Sequence, residues 1–79
     1  MRLDKYLKVS RLIKRRTVAN DACDAGRVLV NDKPARASYD VKVGDILTIQ
    51  LGARELRCEV TDVQETVAKN DAALLYRLL

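Results

Sequence analysis

"TVANDACDAGRVLVND", residues 17–32, contains the change of period that decides the fold. Val18, Ala22 and Ala25 recur at i, i+4 and i+7, which predicts a helix with that stripe facing inward, and Thr17 just ahead suits its N-cap. Gly26 suits the left-handed position at which such a helix stops. From Arg27 onward the apolar spacing drops to two. Val28 and Val30 alternate with Arg27 and Leu29 as in a strand, and Asn31-Asp32-Lys33-Pro34 then supplies turn-tolerant residues and fixes the exit.

Downstream, the extended pattern continues. Gly44-Asp45 marks a turn; Leu47, Ile49 and Leu51 alternate with Thr48 and Gln50; Leu56, Cys58 and Val60 alternate with Arg57, Glu59 and Thr61. These predict two half-buried strands, with Gly52-Ala53 between them as a tight hairpin turn. From Ala68 the stretch "AKNDAALLYRLL" is rich in alanine and leucine, which predicts a short final helix with Asn70 as its N-cap. Together these elements define an α+β fold in a small single domain, residues 1–79. Two N-terminal helices pack on a short, largely antiparallel sheet, and a short C-terminal helix closes it.

Upstream, Leu3 and Leu7, followed by Leu12 and Ile13, have helical spacing, with Lys8 to Ser10 as the place where the run would break into a turn. The charge is concentrated here. Residues 1–16 carry seven bases and one acid, a net +6, whereas residues 17–79 carry eight bases and ten acids, a net −2. Such asymmetry suggests a polyanionic partner. If the helix continued, Lys8, Arg11 and Arg15 would share one face. Within "RLIKRRT", residues 11–17, the helix start at Thr17 lies beside Arg15 and Arg16, so backbone N–H groups and guanidinium groups would attract a phosphate together.

Composition removes several alternatives. There is no histidine, and Cys23 and Cys58 form no close motif, so neither a zinc site nor a thiol–imidazole pair has its ligands. The cysteines are expected as small buried apolar residues. No glycine-rich phosphate loop or carboxylate constellation is visible, Asp21 and Asp24 being ordinary surface acids at i, i+3, so catalysis and cofactors are not expected. No apolar run approaches the roughly 18 residues of a membrane span, and Arg2, Asp4 and Lys5 follow directly on Met1, which points to a cytoplasmic protein. A basic amphipathic helix on a membrane surface fits poorly, because Leu3 and Leu7 make too small an apolar face. Only Tyr6, Tyr39 and Tyr76 are aromatic, and Tyr6 reads better as a core-edge residue than as a stacking platform. Structured RNA held through its phosphates is therefore favoured over splayed single strands. A basic adaptor docking an acidic protein surface is the rival reading.

The order of four segments adds a resemblance. "RLDKYL" at 2–7, "RRTVA" at 15–19, "GRVLVN" at 26–31 and "VKVGD" at 41–45 resemble the S4 RNA-binding domain. The match spans residues 2–51, leaving 52–79 as a C-terminal strand and helix extension. Asp32 departs from the glycine common in that family, and aspartate can adopt the same left-handed turn. The opening "MRLDKYLKVSRLIKRRTVA" is similar to stand-alone bacterial members that act in ribosome quality control, relatives of the heat-shock protein of about fifteen kilodaltons. That resemblance implies binding to rRNA and tRNA on a stalled large ribosomal subunit holding peptidyl-tRNA. It also implies cooperation with RqcH in adding an alanine tail. A general ribosome-recycling factor of the heat-shock type is the nearer alternative. By resemblance Arg2, Arg16 and Thr17 are RNA-binding; by charge Lys5, Lys8, Arg11, Lys14 and Arg15 join them. Asp4 is expected either to cap the first helix and orient an arginine or to contact the ligand. A monomer is expected.

Overall fold

The computed structural model describes the backbone of residues 1–79 and every side chain except that of Lys69. Two helices, α1 (Leu3–Val9) and α2 (Arg16–Asp24), precede five strands: β1 (Val28–Val30), β2 (Lys33–Pro34), β3 (Ile46–Leu51), β4 (Arg54–Val60) and β5 (Tyr76–Leu78). A 3₁₀ helix, Lys69–Leu75, lies between the last two strands. The strands form one sheet in the order β2-β1-β3-β4-β5, and every neighbouring pair is antiparallel. This is the α+β architecture expected.

Helix α1 forms because Leu3, Tyr6 and Leu7 bring i, i+3 and i+4 side chains to one face, and all three are fully buried. It ends where the sequence suggested. Ser10 is the C-cap, its hydroxyl donating to the Leu7 carbonyl at 3.2 Å, and Arg11 takes the left-handed conformation with φ 62°. Lys8, Arg11 and Arg15 therefore do not share a helical face. The chain turns at Arg11, and Ile13 is buried before α2 begins.

Helix α2 starts earlier than predicted and presents a different face. Arg15 is the N-cap, with extended backbone and no side-chain cap, so Thr17 lies inside the helix. Ala19 and Cys23 are buried, while Val18 is 52% exposed and Ala22 only half-buried. The inward positions are taken by small side chains that let α2 lie close to α1, and the bulkier Val18 is left outside. At the far end, Gly26 (φ 77°) donates to the Cys23 carbonyl at 3.0 Å and Arg27 to that of Ala22 at 2.9 Å. This is the paired closure that glycine at C′ allows.

On the inner face of the sheet, Val28, Val30, Leu47, Ile49, Cys58 and Val60 are buried in one core with the helices. Both cysteines are free and buried, and burial pushes each thiol up to about 11. Asn31 (φ 52°) and Asp32 (φ 68°) form the two-residue turn between β1 and β2, so the aspartate does adopt the left-handed form. Gly52 (φ 62°) opens the two-residue turn between β3 and β4. Leu51, next to that turn, is 43% exposed, at the strand end beyond the buried Ile49.

Asp45 ties the turns together, its carboxylate accepting from the Asn31 amide (3.2 Å), the Tyr39 hydroxyl (2.9 Å) and the Lys42 N–H (3.0 Å). At the C-terminus, Ala68 rather than Asn70 is the N-cap of the 3₁₀ helix, and no side chain caps it. The last residues are a strand: Tyr76, Arg77 and Leu78 pair with Val60, Glu59 and Cys58. Their edge position, with Tyr76 partly buried and Arg77 and Leu78 outside, weakens the alternation that would have announced it.

Candidate nucleic-acid interface

The corner between α1 and α2 is built around Asp4. Backbone bonds fix the start of α1 against residues 37–41: Leu3 N–H donates to the Tyr39 carbonyl (2.8 Å), Asp4 N–H to that of Ala37 (3.2 Å), and Val41 N–H to that of Met1 (2.8 Å). Arg2, not Asp4, is the N-cap of α1, and its backbone forms an isolated antiparallel β-bridge with that of Asp40. Asp4 instead lies in the first turn, where its carboxylate favours the positive end of the helix.

That carboxylate is 2% exposed and has four partners. It accepts from Arg2 Nε at 3.2 Å and Nη2 at 3.3 Å, from Asn20 Nδ2 at 3.2 Å and from the Lys5 N–H at 2.8 Å. It also pairs with Arg16 Nε at 3.4 Å. Burial by itself would raise its pKa, but the Asn20, Arg2 and Lys5 donors and the field of Arg16 together hold the carboxyl below its ordinary value. The two guanidinium groups keep about half of their side-chain surface in solvent, 51% for Arg2 and 47% for Arg16. One buried anion thus holds two cations with their free donors outward. Asp4 thus contacts both arginines, with Asn20 as a further partner that no sequence pattern indicated.

Two surface depressions meet at Arg16. The first is lined by Arg2, Asp4, Arg16, Thr17, Asn20 and Asp21, and the second by Lys5, Lys8 and Arg16 facing residues 65–67. Arg2, Arg16 and Thr17 are thus brought together; Lys8 and Lys5 extend the surface along α1. Lys5 is engaged by Glu65, an acid that sequence reading passed over because it lies 60 positions away in an irregular segment. Arg11, Lys14 and Arg15 are exposed on the connection between the helices, and among the described residues none of the three has an acidic partner. Tyr6 is fully buried, its hydroxyl donating to the Leu75 carbonyl at 2.6 Å, and is not a stacking platform. The first-turn N–H groups of α2 open beside Arg16 without a side-chain cap.

A two-helix corner followed by this sheet is the plan of a small RNA-binding domain, and the S4 domain profile matches residues 1–47. The chain belongs to the S4 domain family. Among its relatives is the RQC P-site tRNA stabilizing factor of Halalkalibacterium halodurans, 53% identical over 99% of this chain and 89% of that protein. The protein of the same name from Bacillus subtilis is 49% identical over 100% of this chain and 92% of its own length. In structure the chain is similar to a trimeric heat shock protein 15 from Vibrio cholerae, with a TM-score of 0.93, 29% identity and coverage of 100% and 81%. No helix among the described residues is long and apolar enough to cross a membrane.

Proposed function

We propose that this protein is a non-catalytic RNA-binding factor of ribosome quality control. It acts in the cytoplasm as a monomer, holding tRNA and rRNA on a stalled large ribosomal subunit that retains peptidyl-tRNA. The observation that carries this reading is the Asp4-held pair, Arg2 and Arg16, at the uncapped start of α2. Two fixed guanidinium groups and oriented N–H groups are suited to phosphate oxygens, which fix register without reading bases. Relatives of nearly the same length carry the name P-site tRNA stabilizing factor, which supports tRNA as one ligand. The family resemblance adds RqcH as the partner that supplies the alanine tail.

In this reading Arg2, Arg16 and Thr17 contact RNA directly, and Lys5, Lys8, Arg11, Lys14 and Arg15 supply the surrounding field. Asp4 is a positioning residue. Residues 2–51 carry the recognition motif, and the extension 52–79 completes the sheet and faces Lys5 with Glu65. The test is co-sedimentation with purified large subunits, with and without bound peptidyl-tRNA. Pelleting that requires peptidyl-tRNA and weakens in Arg16→Ala supports the proposal. Equal pelleting with empty subunits contradicts it in favour of general RNA affinity, and pelleting that survives nuclease treatment of the partner favours a protein adaptor.

A further inference from the structure

The second depression has a composition that phosphate binding does not explain. Lys5 and Lys8 of α1, with Arg16 of α2, form one wall, and Glu65 and Thr66 form the other. Val9 and Val67 give it an apolar part, both being partly buried against the core. The Glu65 carboxylate accepts from Lys5 Nζ, with 70% of the Glu65 side chain exposed against 35% of Lys5. On a surface built for phosphates an acid is a liability, since it cancels one cation and repels the ligand.

Nor does the fold depend on this acid. The segment is held by other bonds: Thr61 and Asp62 N–H groups donate to the Leu75 carbonyl at 3.0 and 3.2 Å, and the Thr61 hydroxyl donates to that of Leu74 at 2.9 Å. The Asp62 carboxylate accepts from the Val63 N–H at 2.8 Å and from Gln64 Nε2 at 2.7 Å. An exposed ion pair such as Lys5 with Glu65 adds little to stability. The carboxylate is therefore able to exchange the Lys5 ammonium for another donor without loosening its segment.

We infer that this groove receives one unpaired RNA nucleotide, whose phosphate meets Lys8 and Arg16 and whose hydrogen-bond donor replaces Lys5 at Glu65. The inference rests on the RNA-binding reading above and adds selectivity to it. RNA offers such a donor in two places, the ribose 2′-hydroxyl and the N–H edge of an unpaired base. Val9 and Val67 provide the apolar contact for the ring. A fully paired helix keeps its base donors engaged and its 2′-hydroxyls in line along the minor groove, outside a groove that takes a single nucleotide, so Glu65 favours a bulged or looped nucleotide and opposes the duplex.

The experiment measures binding of the full chain to an RNA hairpin carrying a single-nucleotide bulge and to the same hairpin without it. Two further probes carry a 2′-deoxy or an abasic bulge. The wild type is expected to prefer the bulged hairpin by about tenfold, the scale of one hydrogen bond to a charged group. Loss of preference with the deoxy probe assigns the donor to the ribose; loss with the abasic probe assigns it to the base. Glu65→Gln and Glu65→Ala, with melting temperatures unchanged, are expected to bind the unbulged hairpin more tightly, while the preference weakens in Glu65→Gln, whose amide oxygen still accepts, and disappears in Glu65→Ala. A wild type that binds both hairpins equally, or a preference that survives in both variants, overturns the inference and leaves the RNA-binding reading intact. A wild type that binds neither hairpin nor large subunits overturns both.

Discussion

Arginine does two different things in two regions of this molecule. At the α1–α2 corner, Arg2 and Arg16 share one carboxylate that is 2% exposed. On the outer side of the sheet, Arg57 pairs with Asp32, whose side chain is 80% exposed, at 3.8 Å, and Arg77 pairs with Glu59, 29% exposed. The sheet pairs match one cation to one anion and cancel. The corner pairs leave a surplus of positive charge, because Asp4 is outnumbered. A buried anion with several donors fixes geometry, whereas exposed pairs are screened by water and salt and fix little. The location of the anion, more than the count of cations, separates a binding surface from an ordinary charged one.

The strongest way to break this contrast is Asp4→Asn. The side chain keeps its shape and loses the charge that holds two arginines, and the expected cost in folding stability is about 2 kcal/mol, measured by denaturant unfolding. RNA affinity should fall with it, although net positive charge has risen, because the guanidinium groups are no longer held. Tighter RNA binding by this variant would mean that field strength alone matters.

Acid sharpens the same point. Since the folded-state pKa of Asp4 lies below its ordinary value of 3.8, its contribution is fully present above that pH and is lost as pH falls through the lower, folded value. The stability difference between wild type and Asp4→Asn is therefore expected to be constant at neutral pH and to close below pH 3.8. A gap that instead closes near neutrality would point to another group.

Smaller effects follow elsewhere. Arg11→Gly removes a left-handed non-glycine residue (φ 62°) from the end of α1 and should raise stability by about 1 kcal/mol while weakening RNA binding through the lost charge. On the sheet, Glu59→Gln should change stability by less than about 0.5 kcal/mol, since it removes only one partner of an exposed pair. Equal losses from Glu59→Gln and Asp4→Asn would erase the distinction between the two regions.

Much of this was readable in the chain. The helix stop at Gly26, the left-handed Asp32 turn and the Gly52 hairpin all follow from residue chemistry that acts locally, and Tyr6, expected at the core edge, lies fully inside it. Misjudged features depended on what packs against them. Thr17 is a good cap in isolation, but the chain enters α2 extended at Arg15, so the helix claims Thr17 itself. Val18 is the more apolar of two neighbours, yet the proximity of α1 selects the smaller Ala19 for burial. β5 was hidden because Leu78 and Arg77 lie at a sheet edge, where alternation is weak. In the site, the basic residues were visible from charge, whereas Asn20 and Glu65 become partners only through folding, across 16 and 60 residues of sequence.

The most direct test is the salt dependence of binding to large ribosomal subunits for wild type, Arg16→Ala and Arg77→Ala. Each phosphate contact contributes roughly one unit to the slope of log affinity against log salt. The expected result is a slope smaller by about one and an affinity loss of about 1–3 kcal/mol for Arg16→Ala, with Arg77→Ala indistinguishable from wild type. Equal changes in both variants, or none in either, would contradict the claim that a carboxylate buried in the corner is what makes these arginines a phosphate site.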